Sequence, residues 1–326
     1  KSQIEKKAEE KQITLLSTAL SEASNAGGHW LNASGKGYPR FYPKGVSVSA
    51  FNALFMTLHS DKNGCKTNQF TLFSDAKAQG ASVRENEQGV PFLFYNWNKY
   101  VHRNNPEQVI SRDDYMKLYE EEQKLYKGVH NRDIDQTTLP YVDKERYETT
   151  LRRYGSAVER GYTEADNRRL HIQFNDFLLR MRDNLVPVRL DGSGVPHYET
   201  DKDAVYMPRQ REFRHYHDYI QEALRQIVSA TGHQQRLARE GMVMKNGVAP
   251  SEDAVRQERL VVELASGIKM LELGLPARLS EESLKTVEYW CRELKENPNL
   301  MDALESDVNN AIEVINKAER GEKIEY

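Results

Sequence analysis

Residues 219–233 read Tyr-Ile-Gln-Glu-Ala-Leu-Arg-Gln-Ile-Val-Ser-Ala-Thr-Gly-His, and this stretch decides the fold of the C-terminal half. Its apolar residues recur at helical spacing, which predicts an amphipathic helix with one buried stripe. The members of that stripe are Ile220, Leu224, Ile227 and Val228. Gly232 stands where a C′ glycine commonly ends a helix. The sequence therefore predicts a buried helix that stops just before His233.

The segments around this helix predict an α+β arrangement. Three short strands precede it, at residues 186–190, 195–199 and 204–208. Helices at 252–273 and 281–295 follow, and Asn297 and Pro298 are predicted to open a last one as N-cap and N1. A short sheet followed by a helical bundle is typical of an α+β fold.

Length and composition limit the class of protein. A chain of 326 residues predicts two domains. Charged residues make up 29% of it, the mean hydropathy is -0.77, and the sequence contains no run of 18 apolar residues that would predict a membrane span. The charged N-terminus does not resemble a signal peptide. Cys65 and Cys291 form no metal-binding pattern, and two separate thiols are typical of a cytoplasmic protein.

The net charge of -3 is unevenly distributed. Residues 1–100 hold 12 Lys and Arg against 8 Asp and Glu, a balance of +4, whereas residues 251–326 hold 10 against 17, a balance of -7. A polyanion would therefore bind the N-terminal part. Ordinary charge scatter is the alternative.

The N-terminal third begins with a helix over residues 1–23 and then mixes aromatic and basic residues. Aromatic rings stack on unpaired bases and nearby cations contact phosphates, so the mixture is typical of a single-stranded nucleic-acid site. The candidates are Trp30, Lys36, Tyr38, Arg40, Tyr42 and Lys44, together with Asn52 on a helix predicted at 47–58 and Arg84 on a short strand. The alternative is that the aromatics form the core of a small α/β domain and the cations are solvated.

Residues 82–185 are predicted to form a hairpin followed mainly by helices. Residues 82–84 and 90–97 predict a hairpin with a turn at 85–89. Ser111 is predicted to cap a surface helix that ends at Gly128, and residues 131–138 are predicted to form a loop. Asp143 and Thr163 are predicted to cap two further helices, of which the second runs to residue 185.

A family pattern is present in the N-terminal third. Residues 32–38 read Asn-Ala-Ser-Gly-Lys-Gly-Tyr, and Ala78, Gly80, Val83, Arg84, Glu87 and Gly89 follow at family spacing. The pattern resembles the N-terminal domain of ArdC-type antirestriction proteins, which also fronts some plasmid-encoded primases. The resemblance implies binding of single-stranded DNA. Two lysines of the family pattern are missing at 85–89, which reduces the positive charge expected at that turn.

The C-terminal half resembles the zincin-like domain that follows the DNA-binding domain in the same family. Matching residues are Tyr198, Asp203, Val205, Met207 and Pro208, then Leu224 and residues 231–233, then residues 257–264. The family helix carries His-Glu-x-x-His, in which two histidines one turn apart ligate zinc and the glutamate acts as general base. Arg225, Gln226 and Ser229 occupy those positions in this chain.

The missing motif leaves two possibilities for the remaining carboxylate, Glu258. Arg225 is predicted to pair with it, because a guanidinium offers five donors in place of the metal. A relocated metal site formed by His217, His233 and Glu258 is the alternative. Zinc is the cofactor that the resemblance implies, but with its ligands replaced the sequence predicts no cofactor.

The sequence thus predicts an ArdC-like domain at 1–140, a helical connector at 141–185 and a zincin-like domain lacking the zinc motif at 186–326. It predicts a single-stranded-DNA-binding protein of a mobile genetic element or phage, with an antirestriction role and an inactive metallopeptidase-like domain. Two alternatives stay open. One is a scaffold that binds a host defence protein, and the other is a metallohydrolase with a relocated site.

Overall fold

The computed structural model describes residues 3–32, 36–42, 46–83, 85–86, 88–137, 164–190 and 194–324, and it has the predicted α+β fold. The helices are α1 (Gln3–Ala23), α2 (Ala50–Lys62), α3 (Phe73–Ala78), α4 (Arg112–Met116), α5 (Glu120–Gln123), α6 (Glu164–Asn184), α7 (Tyr216–Thr231), α8 (Glu252–Glu272), α9 (Glu281–Leu284), α10 (Val287–Glu296) and α11 (Leu300–Glu319). The strands are β1 (His29–Leu31), β2 (Arg40–Phe41), β3 (Val46–Ser47), β4 (Gln69–Phe70), β5 (Val90–His102), β6 (Asn105–Ser111), β7 (Tyr126–Thr137), β8 (Val188–Arg189), β9 (His197–Glu199), β10 (Ala204–Tyr206) and β11 (Ala277–Arg278).

The strands form small separate sheets. In the N-terminal part, β2 lies between β3 and β4, and β5 lies between β6 and β7. In the C-terminal part, β10 lies between β8 and β9. These are the three strands predicted before α7. The fourth sheet pairs β1 with β11 in antiparallel fashion, so the N-terminal part supplies one strand and the C-terminal part the other.

One hydrophobic core runs through the described chain. The apolar stripe of α7 is fully buried, and α8 packs along it with Leu260, Leu264 and Ile268. The same cluster continues into α1, α2 and α11. The division at 1–140, 141–185 and 186–326 stays a prediction; in the folded chain the two ends share this core.

Two predictions for the middle of the chain are wrong. Residues 82–83 are not a strand, and β5 pairs instead with β6 and with β7 along most of its length. Residues 131–137 belong to β7 and not to a loop. The error arose because alternation within β5 identifies a strand but not its partner, which is set by contacts outside the segment.

Several predicted helix ends are also shifted. Ser111 caps α4 as predicted, accepting a hydrogen bond from the Asp114 amide, but α4 ends at Met116. Asn299, and not Asn297, is the N-cap of α11. Gly232 closes α7 with a helical φ of -81° and not with the left-handed geometry of a C′ glycine. The predicted helix at Asp143 and the cap at Thr163 lie outside the described residues.

Gly232 is required by space. A Cβ at this position would lie 2.7 Å from Arg239 Nη2 and 2.9 Å from Met242 Cγ, closer than carbon atoms approach in proteins. The glycine therefore lets the chain after α7 fold back against the helix end.

No helix among the described residues is long and apolar enough to cross a membrane.

Trp30 belongs to the core. Its side chain is 5% exposed and lies against Gly267 of α8, where a Cβ would meet Trp30 Cζ2 at 2.5 Å. The indole therefore occupies the space that a side chain on α8 would fill. Trp30 joins β1 to α8 across the boundary between the two halves.

Gly267→Ala is expected to destabilise the protein. Alanine favours a helix by about 1 kcal/mol over glycine, but the added methyl overpacks the indole, which typically costs about 1–3 kcal/mol. We expect a net loss on the order of 1 kcal/mol in the free energy of unfolding, measured by urea denaturation. In a Trp30→Phe background the same substitution should cost less, since the two residues touch. Equal costs in both backgrounds would show that the indole does not limit the space at Gly267.

Candidate metal centre and nucleic-acid surface

Arg225, which the sequence resemblance aligns with the first zinc ligand of a zincin helix, is held by carboxylates. Its Nε donates to Glu263 Oε2 at 3.1 Å, and Nη1 donates to Glu222 one turn earlier on α7. Nη2 donates to the backbone carbonyl of Arg278 in β11. The Arg225 side chain is 9% exposed and that of Glu263 is 1% exposed. The guanidinium therefore joins α7, α8 and β11 in the interior.

The second carboxylate completes a charged triad. Burial raises the pKa of Glu222 more than the Arg225 charge lowers it, and nearby Glu263 adds to the rise. Burial alone would lower the pKa of Arg225, but Glu263 and Glu222 outweigh it and raise that pKa. Glu263 Oε1 also accepts from the Ser280 amide at 3.0 Å. Both oxygens of the most deeply buried carboxylate are thus satisfied.

The residues at the zincin motif do not fit a metal. Arg225 is a cation with no lone pair to give, and its guanidinium already occupies the Glu263 carboxylate that could have served as a ligand. Gln226 and Ser229 are half-buried on the same helix and supply no imidazole or carboxylate. Among the described residues, no group of three His, Cys, Asp or Glu side chains is placed to hold a metal ion.

Glu258 has a different partner from the predicted one. Arg239, in the loop after α7, donates from Nε to Glu258 Oε2 at 2.8 Å and from Nη2 to Oε1 at 2.7 Å. Arg239 also donates to Thr231 Oγ1 and to the Val228 carbonyl at the end of α7. The predicted pairing of Arg225 with Glu258 is therefore wrong: Glu258 pairs with Arg239, and Arg225 pairs with Glu263.

The relocated metal site is not formed either. His233 is 5% exposed, and its Nδ1 accepts from the Gln235 amide at 3.2 Å. Both oxygens of Glu258 are engaged by Arg239. Burial lowers the pKa of His217 at the start of α7. His217, His233 and Glu258 do not form a metal-binding group.

A third guanidinium–carboxylate pair closes the C-terminal sheet. Arg236 donates to both oxygens of Asp203, and the Tyr198 hydroxyl donates to Asp203 Oδ1 at 2.6 Å. Burial alone would raise the pKa of Asp203, but the hydrogen bonds from Arg236 and Tyr198 outweigh it and hold that pKa below its usual value. Tyr198 and Asp203, matched in the sequence by family resemblance, therefore have a structural role.

Three of the predicted DNA-binding residues are engaged inside the protein. Trp30 is buried against Gly267, so its ring offers no face to a base. Lys36 donates to Asp61 Oδ1 at 2.9 Å with only 13% of its side chain exposed. Asn52 is 4% exposed and donates to Ser49 Oγ at 2.8 Å. These predictions are corrected because each side chain already has a structural partner in the interior.

The other predicted residues lie along β2. Arg40 is exposed, and Tyr38 and Tyr42 are half-buried on either side of it. The Tyr38 hydroxyl donates to the Val48 carbonyl at 3.3 Å, and the Tyr42 amide donates to the Phe70 carbonyl. Lys44 and Arg84 lie outside the described residues. The structure thus brings Tyr38, Arg40 and Tyr42 together on one short segment, residues 38–42, which contains β2, the central strand of its sheet.

Sequence reasoning missed Glu222, Glu263 and Arg239. A signal existed for Glu263, which stands in the apolar run of residues 260–264 and so had to be buried with a cationic partner. Arg239 had no such signal, since it lies in a loop and its position depends on the fold-back after Gly232.

Two family models match the chain. The model for the N-terminal domain of anti-restriction factor ArdC matches residues 6–134, and the model for a zincin-like metallopeptidase matches residues 181–303. Among curated proteins, no sequence matches.

Solved structures show the same fold over nearly the whole length. The metal-free crystal structure of the antirestriction ArdC protein from plasmid R388 is similar with a TM-score of 0.61 and 16% identity, covering 96% of this chain and 99% of that one. The Mn(II)-bound structure of the R388 protein is similar with a TM-score of 0.59 and 16% identity, covering 96% and 97%. The resemblance found in the sequence is confirmed.

Arg225→Met is expected to destabilise the protein strongly. The substitution leaves Glu263 buried without its cation, and breaking a buried pair in this way costs about 3–5 kcal/mol. Arg182→Met serves as control, because Arg182 is half-exposed and pairs only with its neighbour Asp183. The control should change the free energy of unfolding by no more than about 0.5 kcal/mol. Similar losses in both variants, measured by chemical denaturation, would contradict the role assigned to Arg225.

Proposed function

We propose that this chain, whose two parts match the ArdC N-terminal and zincin-like family models, is a single-stranded-DNA-binding antirestriction protein of a mobile genetic element or phage. The observation that carries the proposal is the grouping of Arg40, in β2, between Tyr38 just before the strand and Tyr42 just after it. An exposed cation beside half-buried aromatic rings suits unpaired bases and their phosphates. The positive balance of residues 1–100 supports the same assignment.

The proposed DNA contacts differ from those expected from the sequence alone. Trp30, Lys36 and Asn52 leave the set because they are engaged in the interior. Tyr38, Arg40, Tyr42, Lys44 and Arg84 remain. Three of these five are cations, so the proposed site contacts about three phosphates.

We further propose that the metallopeptidase-like domain is non-catalytic. The support for this is the Arg225 guanidinium, which is hydrogen-bonded to Glu263 at the position where a zincin needs a ligand. A zincin also needs a general base, and Gln226 at that position cannot accept a proton at neutral pH. The domain then serves as a folded support to which the DNA-binding part is joined through β1 and β11.

The DNA-binding proposal predicts a moderate dependence on salt. Neutralising about three phosphates on a single strand gives a slope of log K against log salt of roughly -2, or about a 20-fold loss of affinity from 50 to 200 mM salt. Arg40→Gln should weaken binding and reduce the slope by about 0.7. Fluorescence anisotropy with single- and double-stranded oligonucleotides measures both quantities.

Arg182→Gln is the matched control, since it removes one exposed charge from α6, far along the chain from β2. The control should bind DNA as the wild-type protein does. Salt-insensitive binding, or equal affinity of the Arg40→Gln and wild-type proteins, would count against the assignment. Arg40→Gln should also protect DNA less well in a restricting host.

The non-catalytic proposal predicts that the purified protein holds no stoichiometric zinc or manganese by elemental analysis. The double variant Arg225→His/Ser229→His places two imidazoles one helical turn apart and frees Glu263 as a third ligand. We expect this variant to bind zinc, as measured by calorimetry, while the single variant Ser229→His does not. One metal ion per wild-type chain would overturn the proposal.

A further inference from the structure

A groove of about 650 Å³ with mixed polar and apolar walls lies between β2 with the start of α2 on one side and the C-terminal helix on the other. One wall carries Tyr38 and Arg40 with Ser49 just before α2, and the other carries residues of α11. A volume of about 300–1,000 Å³ is typical of pockets that take a small ligand. Residues of the last helix of the chain therefore form the second wall of a groove beside the proposed DNA-binding residues Tyr38 and Arg40.

The α11 wall is rich in carboxamides, and each has one end held. Asn309 Oδ1 accepts from the Phe51 amide at 3.1 Å, and Asn316 Oδ1 accepts from Lys269 Nζ at 3.1 Å. Each of these two side chains keeps its Nδ2 as a donor. Asn310 Nδ2 donates to Ser306 Oγ at 3.4 Å, so Asn310 keeps its Oδ1 as an acceptor. The wall thus offers both donors and acceptors.

Two carboxylates line the groove, and each has a cationic partner. Glu272 stands at the end of α8, close enough to Tyr38 to help burial raise the pKa of that hydroxyl. Glu313 on α11 is half-exposed and has Lys317 and Arg320 at 3.9 and 3.7 Å. Lys269 pairs with Glu272, so the two carboxylates bring acceptor oxygens to the groove and not an unpaired negative charge. Arg40 is exposed, and it provides the phosphate contact beside the groove.

We infer that this groove receives one base of the bound strand and reads its hydrogen-bonding edge, an assignment that rests on the proposed DNA binding. Arg40 holds the adjacent phosphate, the Tyr38 ring lines the entrance, and the carboxamides and carboxylates contact the base. Carboxylates accept from the amino groups of bases. Guanine, adenine and cytosine carry an amino group and thymine does not, so the groove discriminates against thymine.

The test compares oligonucleotides that differ at one position. A thymidine oligonucleotide is titrated by fluorescence anisotropy beside three versions with a single central guanine, adenine or cytosine. We expect the wild-type protein to bind at least one substituted strand about five-fold more tightly than the thymidine strand, the lower end of what a good base contact supplies. Glu313→Gln and Asn310→Ala should each reduce this ratio to about two-fold or less.

Glu288→Gln is the matched control, since it removes the same charge from an exposed position on α10. It should keep the full ratio. Glu313 and Asn310 are exposed, so their variants are expected to fold, and circular dichroism checks this. Equal affinity of the wild-type protein for all four strands, or an unchanged ratio in both groove variants, would overturn the inference and leave the proposed DNA binding standing. Failure to bind any strand would overturn both.

Discussion

The Arg225 guanidinium and the Glu263 carboxylate meet in the interior between α7 and α8, and the arrangement of the C-terminal half depends on that contact. A buried charge is tolerated only when it is paired and hydrogen-bonded. Arg225 meets this condition by donating to two carboxylates and to the Arg278 carbonyl. Where a metal would join helix to helix in a zincin, an organic cation joins them in this protein.

The same contact links the two ends of the chain. The carbonyl that accepts from Arg225 belongs to β11, whose partner strand is β1 of the N-terminal part. Trp30 of β1 in turn packs against Gly267 of α8. The zincin-like half therefore contacts β1 directly, and β1 precedes the segment that carries Tyr38, Arg40 and Tyr42.

The stripe of α7 and the family motifs were readable from local pattern, since periodicity and capping depend on neighbouring residues only. The positions that the resemblance aligns with the zinc motif were located in the same way, and the prediction that the ligands are replaced rests on the residue types there. The pairing of the buried arginines with the buried glutamates could not be predicted from local sequence patterns. Arg225 and Arg239 lie on either side of Gly232, and both Glu258 and Glu263 lie on the facing helix, so four pairings were open to sequence reasoning.

The sequence by itself determined the α+β class and the resemblance of the two halves to the ArdC-type family, because each of these follows from residue type and spacing along the chain. Only the tertiary structure decided that Trp30, Lys36 and Asn52 are engaged in contacts inside the protein. It also decided that the two walls of the groove come from opposite ends of the chain. Burial and long-range contact depend on how separate segments pack, and that packing depends on the whole chain at once. Tyr38 and Asn310 share a groove for that reason alone.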